Sequence, residues 1–81
     1  MSVQFSKHAI LRIKQRFSQP DAMKSLLRIV AERLENNPFP RSTGSKEVIE
    51  GIVQFRPVRV VVEALGARRF LVVTVMWTEQ R

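Results

Sequence analysis

The sequence predicts an α+β fold in which two N-terminal helices pack on a three- to four-stranded antiparallel sheet. Three observations predict it. Apolar residues recur at helical spacing in the N-terminal half, whereas from about residue 46 they alternate as they do in strands. Turn-forming residues divide the chain into a strand, two helices and three strands, in that order. The length of 81 residues fits one domain with a small core, spanning residues 1–81.

The first two elements are predicted to be a short edge strand and a helix. The alternation in Val3-Gln4-Phe5 predicts the strand. Ser6 follows with the side chain of a good helix N-cap, and the helix that it starts runs to about Phe17. The apolar face expected to pack on the sheet consists of Ala9, Ile10, Ile13 and Phe17.

A second helix is predicted from about Pro20 to Asn36. Pro20 suits the first turn of a helix, and Asp21 complements the helix dipole there. An apolar stripe at helical spacing is predicted to be core, and it consists of Met23, Leu26, Leu27, Val30 and Leu34. Lys24, Arg28 and Glu32 form a row four residues apart that is expected to face solvent.

The first strand of the C-terminal half is predicted over Glu47–Phe55. Alternation places three apolar residues on one face, namely Ile49, Val53 and Phe55. Gly51 lies in the middle of this strand, where a glycine marks a bulge or a close approach of another segment.

Two further strands are expected to complete the sheet. Arg56-Pro57 is predicted to turn the chain before a strand over Val58–Leu65. Gly66-Ala67-Arg68 predicts a hairpin that leads into a last strand over Phe70–Thr78. The aromatic residues of that strand, Phe70 and Trp77, are predicted to belong to the core rather than to stack on bases.

Composition narrows the classes of function. Fourteen Lys and Arg against seven Asp and Glu give a net charge of +7. Arginine outnumbers lysine, and arginine favours planar, bidentate anions, so we expect RNA or another nucleic acid, or an acidic protein surface, as the partner. The chain has no cysteine and one histidine, which argues against a metal site or cofactor and fits the cytoplasm. No membrane span or signal peptide is apparent, so we expect no membrane partner.

A basic stripe on the first helix is the candidate catalytic site. His8, Arg12 and Arg16 are spaced by four residues, which stacks them along one helix face. Three such side chains repel one another unless something anionic, such as a phosphate, lies in front of them. Four further basic residues are candidate nucleic-acid contacts: Lys7, Arg41, Arg68 and Arg69.

The helix Ser6-Lys7-His8-Ala9-x-x-Arg12-x-x-x-Arg16 and the closing strand Val72-Val73-Thr74-Val75-Met76-Trp77 resemble a family of short prokaryotic proteins of unknown function. That family has an S-x-H-A-x-x-R-x-x-x-R helix and a V-x-T-V-aromatic strand, and here Met76 intervenes before the aromatic residue. The family is similar to the RelE/ParE/BrnT-type toxins. The resemblance implies a RelE-like fold and toxin–antitoxin functions: many such proteins are endoribonucleases, and others poison gyrase or have lost activity.

Metal-free cleavage of RNA needs a base, an acid and cations for the developing charge. His8 is suited to proton transfer near neutral pH, and Arg12 and Arg16 are suited to holding the scissile phosphate. A second proton carrier is not evident from the sequence, and Glu50, Glu63 and Lys7 are the candidates for that role.

Three hypotheses about function follow. The first is a small basic protein that acts on RNA, in the form of a toxin-type endoribonuclease that needs no metal. The second is a non-catalytic binding or inhibitor protein on the same scaffold, whose partner is a nucleic acid, an acidic antitoxin or another acidic protein. The third is an assembly protein that forms a homodimer through a sheet edge. The basic stripe favours the first hypothesis, and the lack of an evident second proton carrier favours the second.

Overall fold

The computed structural model describes residues 2–16, 21–36, 42–66 and 68–77, with the side chains of Arg16 and Trp77 excepted. The elements in chain order are β1 (Ser2–Phe5), α1 (Lys7–Arg16), α2 (Asp21–Glu35), β2 (Lys46–Val53), β3 (Arg56–Gly66) and β4 (Arg69–Trp77). Neither helix of this described part combines the length and the apolar character that a membrane crossing requires. The predicted α+β class with two helices before the main strands is confirmed.

The sheet is mixed, with the strand order β1-β4-β3-β2. β2, β3 and β4 are antiparallel, as predicted, but β1 runs parallel to β4, with Val3 opposite Phe70 and Phe5 opposite Val72. The prediction of a wholly antiparallel sheet was therefore wrong for β1. Strands joined by a tight hairpin must alternate in direction, whereas β1 reaches β4 only through two helices and two strands and is free to run parallel.

The hairpin between β2 and β3 turns at Gln54 and Phe55, not at Arg56-Pro57 as predicted. Val53 pairs with Arg56, so the loop has two residues, and both have positive φ (53° and 66°), as a type I′ turn requires. Phe55 lies in the turn and is fully exposed (100%), instead of sharing a strand face with Ile49 and Val53 as predicted. The turn carries strain, because a non-glycine residue in the left-handed region costs roughly 1–2 kcal/mol.

The helices cover one face of the sheet, α1 over β4 and α2 over β2. In the predicted stripe of α2, Leu26, Val30 and Leu34 are buried, whereas Leu27 is exposed. Gly51 is confirmed as a point of close approach, because a Cβ atom there would lie 2.9 Å from the side chain of Ile29 on α2.

The other face of the sheet is left open by the described residues. Ile49 and Val53 on β2 and Val60 and Val62 on β3 are buried on the helix side, so the residues between them point the other way. This open face mixes charged and apolar side chains, namely Lys46, Val48, Glu50 and Ile52 on β2, Arg59, Val61 and Glu63 on β3, and Leu71, Thr74 and Met76 on β4.

Candidate nucleic-acid interface

Ser6 fixes the start of α1 to the sheet. Its Oγ accepts a hydrogen bond from the amide of Ala9 (3.0 Å), which confirms the predicted N-cap, and donates one to the carbonyl of Val73 (2.8 Å). Its backbone amide donates to the carbonyl of Val72 at 3.0 Å. Three hydrogen bonds from one residue therefore set where the helix begins and how it lies on β4.

The exposed side of α1 carries the first part of the predicted stripe. Ala9 and Ile13 are buried against the sheet, whereas His8 is exposed and Arg12 is half-buried. The difference follows from helix geometry, since a step of four residues exceeds one turn by about 40°. The stripe therefore rotates from solvent toward the sheet as the helix proceeds, and Arg12 lies at the margin of the core.

The guanidinium of Arg12 has an unsatisfied donor. Its Nε atom is buried and has no hydrogen-bond partner among the described residues. A buried donor without an acceptor costs about 1–3 kcal/mol. Because solvent does not reach this nitrogen, an anionic oxygen can accept from it only after the Arg12 side chain turns outward, and the charge-assisted hydrogen bond that then forms removes the penalty.

Two of the predicted basic residues lie outside this description. Arg16 is the last residue of α1, and its side chain is not among those described. Arg41 lies outside the described residues altogether. Their roles in the site stay predictions.

The remaining predicted contacts lie at the two ends of β1. Lys7 follows β1 and is exposed beside His8, whereas Arg68 and Arg69 are exposed at the other end. The amide of Ser2 donates to the carbonyl of Arg68 (2.8 Å), and Ser2 lies opposite Arg69. The strand between them is about 13 Å long at roughly 3.3 Å per residue. The two arginines therefore lie about one strand length from Lys7, the first residue of α1.

The structure places both carboxylate candidates for the second proton carrier on the wrong side of the sheet. Glu50 and Glu63 project from the open face, whereas α1 lies over the covered face. Glu50 is also engaged there, because its Oε2 accepts a hydrogen bond from Nε of Arg59 at 2.9 Å. Neither can exchange a proton with a group held by His8. Lys7 remains on the correct side.

Two features of the surface were missed in the sequence. The exposure of Phe55 was hidden because it follows Val53 at strand spacing, and the turn contains no Gly, Asn or Asp to signal it. The half-burial of Arg12 could have been predicted from the sequence, since Ala9 and Ile13 flank it on the apolar face.

Across the described residues, no group of three His, Cys, Asp or Glu side chains is arranged to hold a metal ion.

Comparison with known proteins identifies no relative. No protein-family model matches the chain, and no curated protein or solved structure matches it significantly. The resemblance to a family of short prokaryotic proteins, and through it to the RelE-type toxins, therefore stays a prediction, and the interpretation of the site depends on its geometry and charge.

Proposed function

We propose that the protein binds RNA through the α1 basic face, defined here as Lys7, His8 and Arg12. The observation that carries the proposal is the buried Nε of Arg12, which has no partner among the described residues. Once the Arg12 side chain turns outward, a backbone phosphate supplies the missing acceptor and the charge that a guanidinium prefers. The net charge of +7 supports the same partner, because it attracts a polyanion at long range.

The start of α1 adds to the attraction. The first turn of a helix is the positive end of its dipole, so acidic side chains are favoured there, and in α1 Ser6 Oγ already accepts from the amide of Ala9. α1 has no acidic residue in its first turn and carries Lys7 and His8 instead. Helix stability does not explain this choice, whereas an anion bound in front of the turn benefits from the dipole and from the charge of Lys7.

A metal-independent endoribonuclease is the second candidate. It is favoured by the exposure of His8 one turn before Arg12, where a base and a phosphate clamp would act together. The endoribonuclease would also need a second proton carrier. Glu50 and Glu63 are on the opposite face of the sheet, and of the three candidates Lys7 alone lies beside His8. Binding without cleavage therefore fits the geometry better.

The test is the affinity for a fluorescent single-stranded RNA, measured by anisotropy between about 50 and 200 mM salt. Affinity is expected to fall steeply with salt. Arg12→Met is expected to lower it about tenfold or more and to reduce the logarithmic salt slope by about 0.7, because one phosphate contact is lost.

Lys24→Ala is the matched control, since Lys24 is an exposed cation on the solvent side of α2. It removes the same charge and is expected to change affinity about threefold at most. If Arg12→Met and Lys24→Ala lose affinity for RNA equally, the loss is explained by net charge alone, and the proposal is contradicted. No binding at low salt would contradict it as well, and binding of an acidic peptide in its place would favour the acidic protein partner.

A further inference from the structure

The tip of the β2–β3 hairpin combines two unfavourable features in adjacent residues. Phe55 is fully exposed (100%), and Ile52 next to the turn is 70% exposed. Gln54 and Phe55 both adopt positive φ, which glycine or asparagine adopts with less strain. The two-residue turn requires the positive φ, but it does not require an aromatic side chain at this position. Residues held in such conformations cluster where a protein binds something.

One arginine adjoins the tip. Arg56 follows Phe55 in the chain and is exposed, whereas Arg59 lies further along β3 on the open face, where Glu50 pairs with it at 2.9 Å. An exposed apolar ring followed in the chain by an exposed arginine matches a ligand that is both aromatic and anionic. A nucleobase attached to a phosphate backbone has this combination of properties. A purely apolar pocket on another protein would not explain the arginine.

We propose that Phe55 stacks on a base of a single-stranded nucleic acid whose phosphates the α1 basic face binds. The inference rests on the proposed function and adds a preference for unpaired bases to it. An aromatic ring stacks on any base, so the contact recognises single strands without reading their sequence. The molecule measures 34 × 24 × 20 Å, and a stacked strand of about 12 nucleotides is roughly 40 Å long at 3.4 Å per nucleotide. One such strand is long enough to reach both the tip and α1.

The test compares wild-type protein with Phe55→Gly and Phe55→Trp on four probes. The probes are an oligoadenylate RNA of about 12 nucleotides, the same sequence as DNA, a duplex RNA of that length, and inorganic polyphosphate. Phe55→Gly removes the ring and relieves the positive φ, so its thermal stability is expected to be equal to or above that of the wild type. Phe55→Trp keeps an aromatic surface.

Phe55→Gly is expected to weaken binding of the oligoadenylate roughly 5- to 100-fold, and Phe55→Trp is expected to retain wild-type affinity within about threefold. Affinity for the duplex and for polyphosphate is expected to stay unchanged, because neither offers an unpaired base. If Phe55→Gly loses affinity for the DNA probe as well, Phe55 stacks on the base whichever sugar carries it. If the variant loses affinity for the RNA probe alone, the site is assigned to RNA. Both results support stacking.

Unchanged oligoadenylate affinity in Phe55→Gly would overturn the inference and leave the proposed function standing. An equal loss on polyphosphate would also overturn it, because the effect would then not involve bases. Failure of the wild type to bind any probe would instead contradict the proposed function itself. Self-association of the wild type that Phe55→Gly abolishes, measured by sedimentation, would assign the tip to a second copy of the chain.

Discussion

The hydroxyl of Ser6 donates a hydrogen bond to the carbonyl oxygen of Val73, 2.8 Å away, although 67 positions separate the two residues. Val73 is the extra residue of a bulge in β4, since Val61 pairs with Thr74 while Val62 pairs with Val72. Successive carbonyls of a regular strand point to opposite sides. Here the carbonyls of Val72 and Val73 both reach Ser6, which the bulge permits by breaking that alternation. The bulge thus holds the first turn of α1 in place.

Ser6→Ala is expected to destabilise the protein by about 1–2 kcal/mol, because it removes the N-cap and leaves the Val73 carbonyl without its donor. In a domain of this size the melting temperature should fall by roughly 4–8 °C per kcal/mol. Ser6→Thr should retain most of the stability. Urea or thermal unfolding provides the measurement, and Ser42→Ala, at an exposed position, is the control. A loss in Ser42→Ala as large as in Ser6→Ala would argue against a specific role for the cap.

The sequence was a good guide to local structure and a poor one to strand direction and turns. Helical spacing identified Leu26, Val30 and Leu34 in the core of α2 but wrongly included Leu27, and Gly51 in a strand indicated the close approach that Ile29 makes. The direction of β1 was not readable, because alternation of polarity is the same in parallel and antiparallel pairs. The turn at Gln54 and Phe55 was not readable either, since it uses residues that a type I′ turn disfavours.

In the candidate site too, local spacing could be predicted from the sequence, whereas features set by tertiary packing could not. Spacing placed His8 and Arg12 on one side of α1, and the structure keeps them there with different exposure. Alternation already put Glu50 on the opposite face from Ile49, but which face the helices cover is decided by tertiary packing. The bulge at Val73 depends on the register between β3 and β4, and no local sequence pattern predicts it.

Arg12→Met is expected to stabilise the free protein by about 1 kcal/mol, even though it weakens RNA binding. Methionine keeps the aliphatic stem that packs beside the core and removes the buried Nε that has no described partner. The melting temperature should rise by roughly 4–8 °C. His8→Ala, at the exposed end of the same face, should leave it unchanged within about 2 °C. A fall in the melting temperature of Arg12→Met would mean that the guanidinium has a stabilising partner.

Gly51→Ala is expected to destabilise the protein by about 1 kcal/mol. The added Cβ would lie 2.9 Å from both Cδ1 and Cγ2 of Ile29, and the resulting overpacking outweighs the gain from a stiffer unfolded chain. Denaturant unfolding checks this, and the double variant with Ile29→Val should recover part of the loss. Gly66→Ala is the matched control, because no atom lies within 4 Å of its added Cβ. Equal effects at the two glycines would contradict the close approach.

His8→Ala is expected to change RNA affinity by less than about threefold, because an exposed histidine adds little to a phosphate contact that Arg12 supplies. Wild-type protein is expected to leave RNA intact, with and without ribosomes, in a gel assay or by primer extension. Cleavage by the wild type that falls about 100-fold in His8→Ala at unchanged affinity would establish the nuclease instead. Growth arrest on expression is a quick first screen for that outcome.

The central claim is that Nε of Arg12, buried in the free protein, turns outward to receive an RNA phosphate, and NMR of the arginine Nε–H groups measures this directly. The Arg12 resonance is assigned by its loss in Arg12→Met and followed while single-stranded RNA is added. We expect it to shift to saturation with the same affinity that anisotropy gives, and to return when salt releases the RNA. An Arg12 resonance that stays in place while those of other arginines shift would contradict the account, because the RNA would then bind elsewhere on the surface.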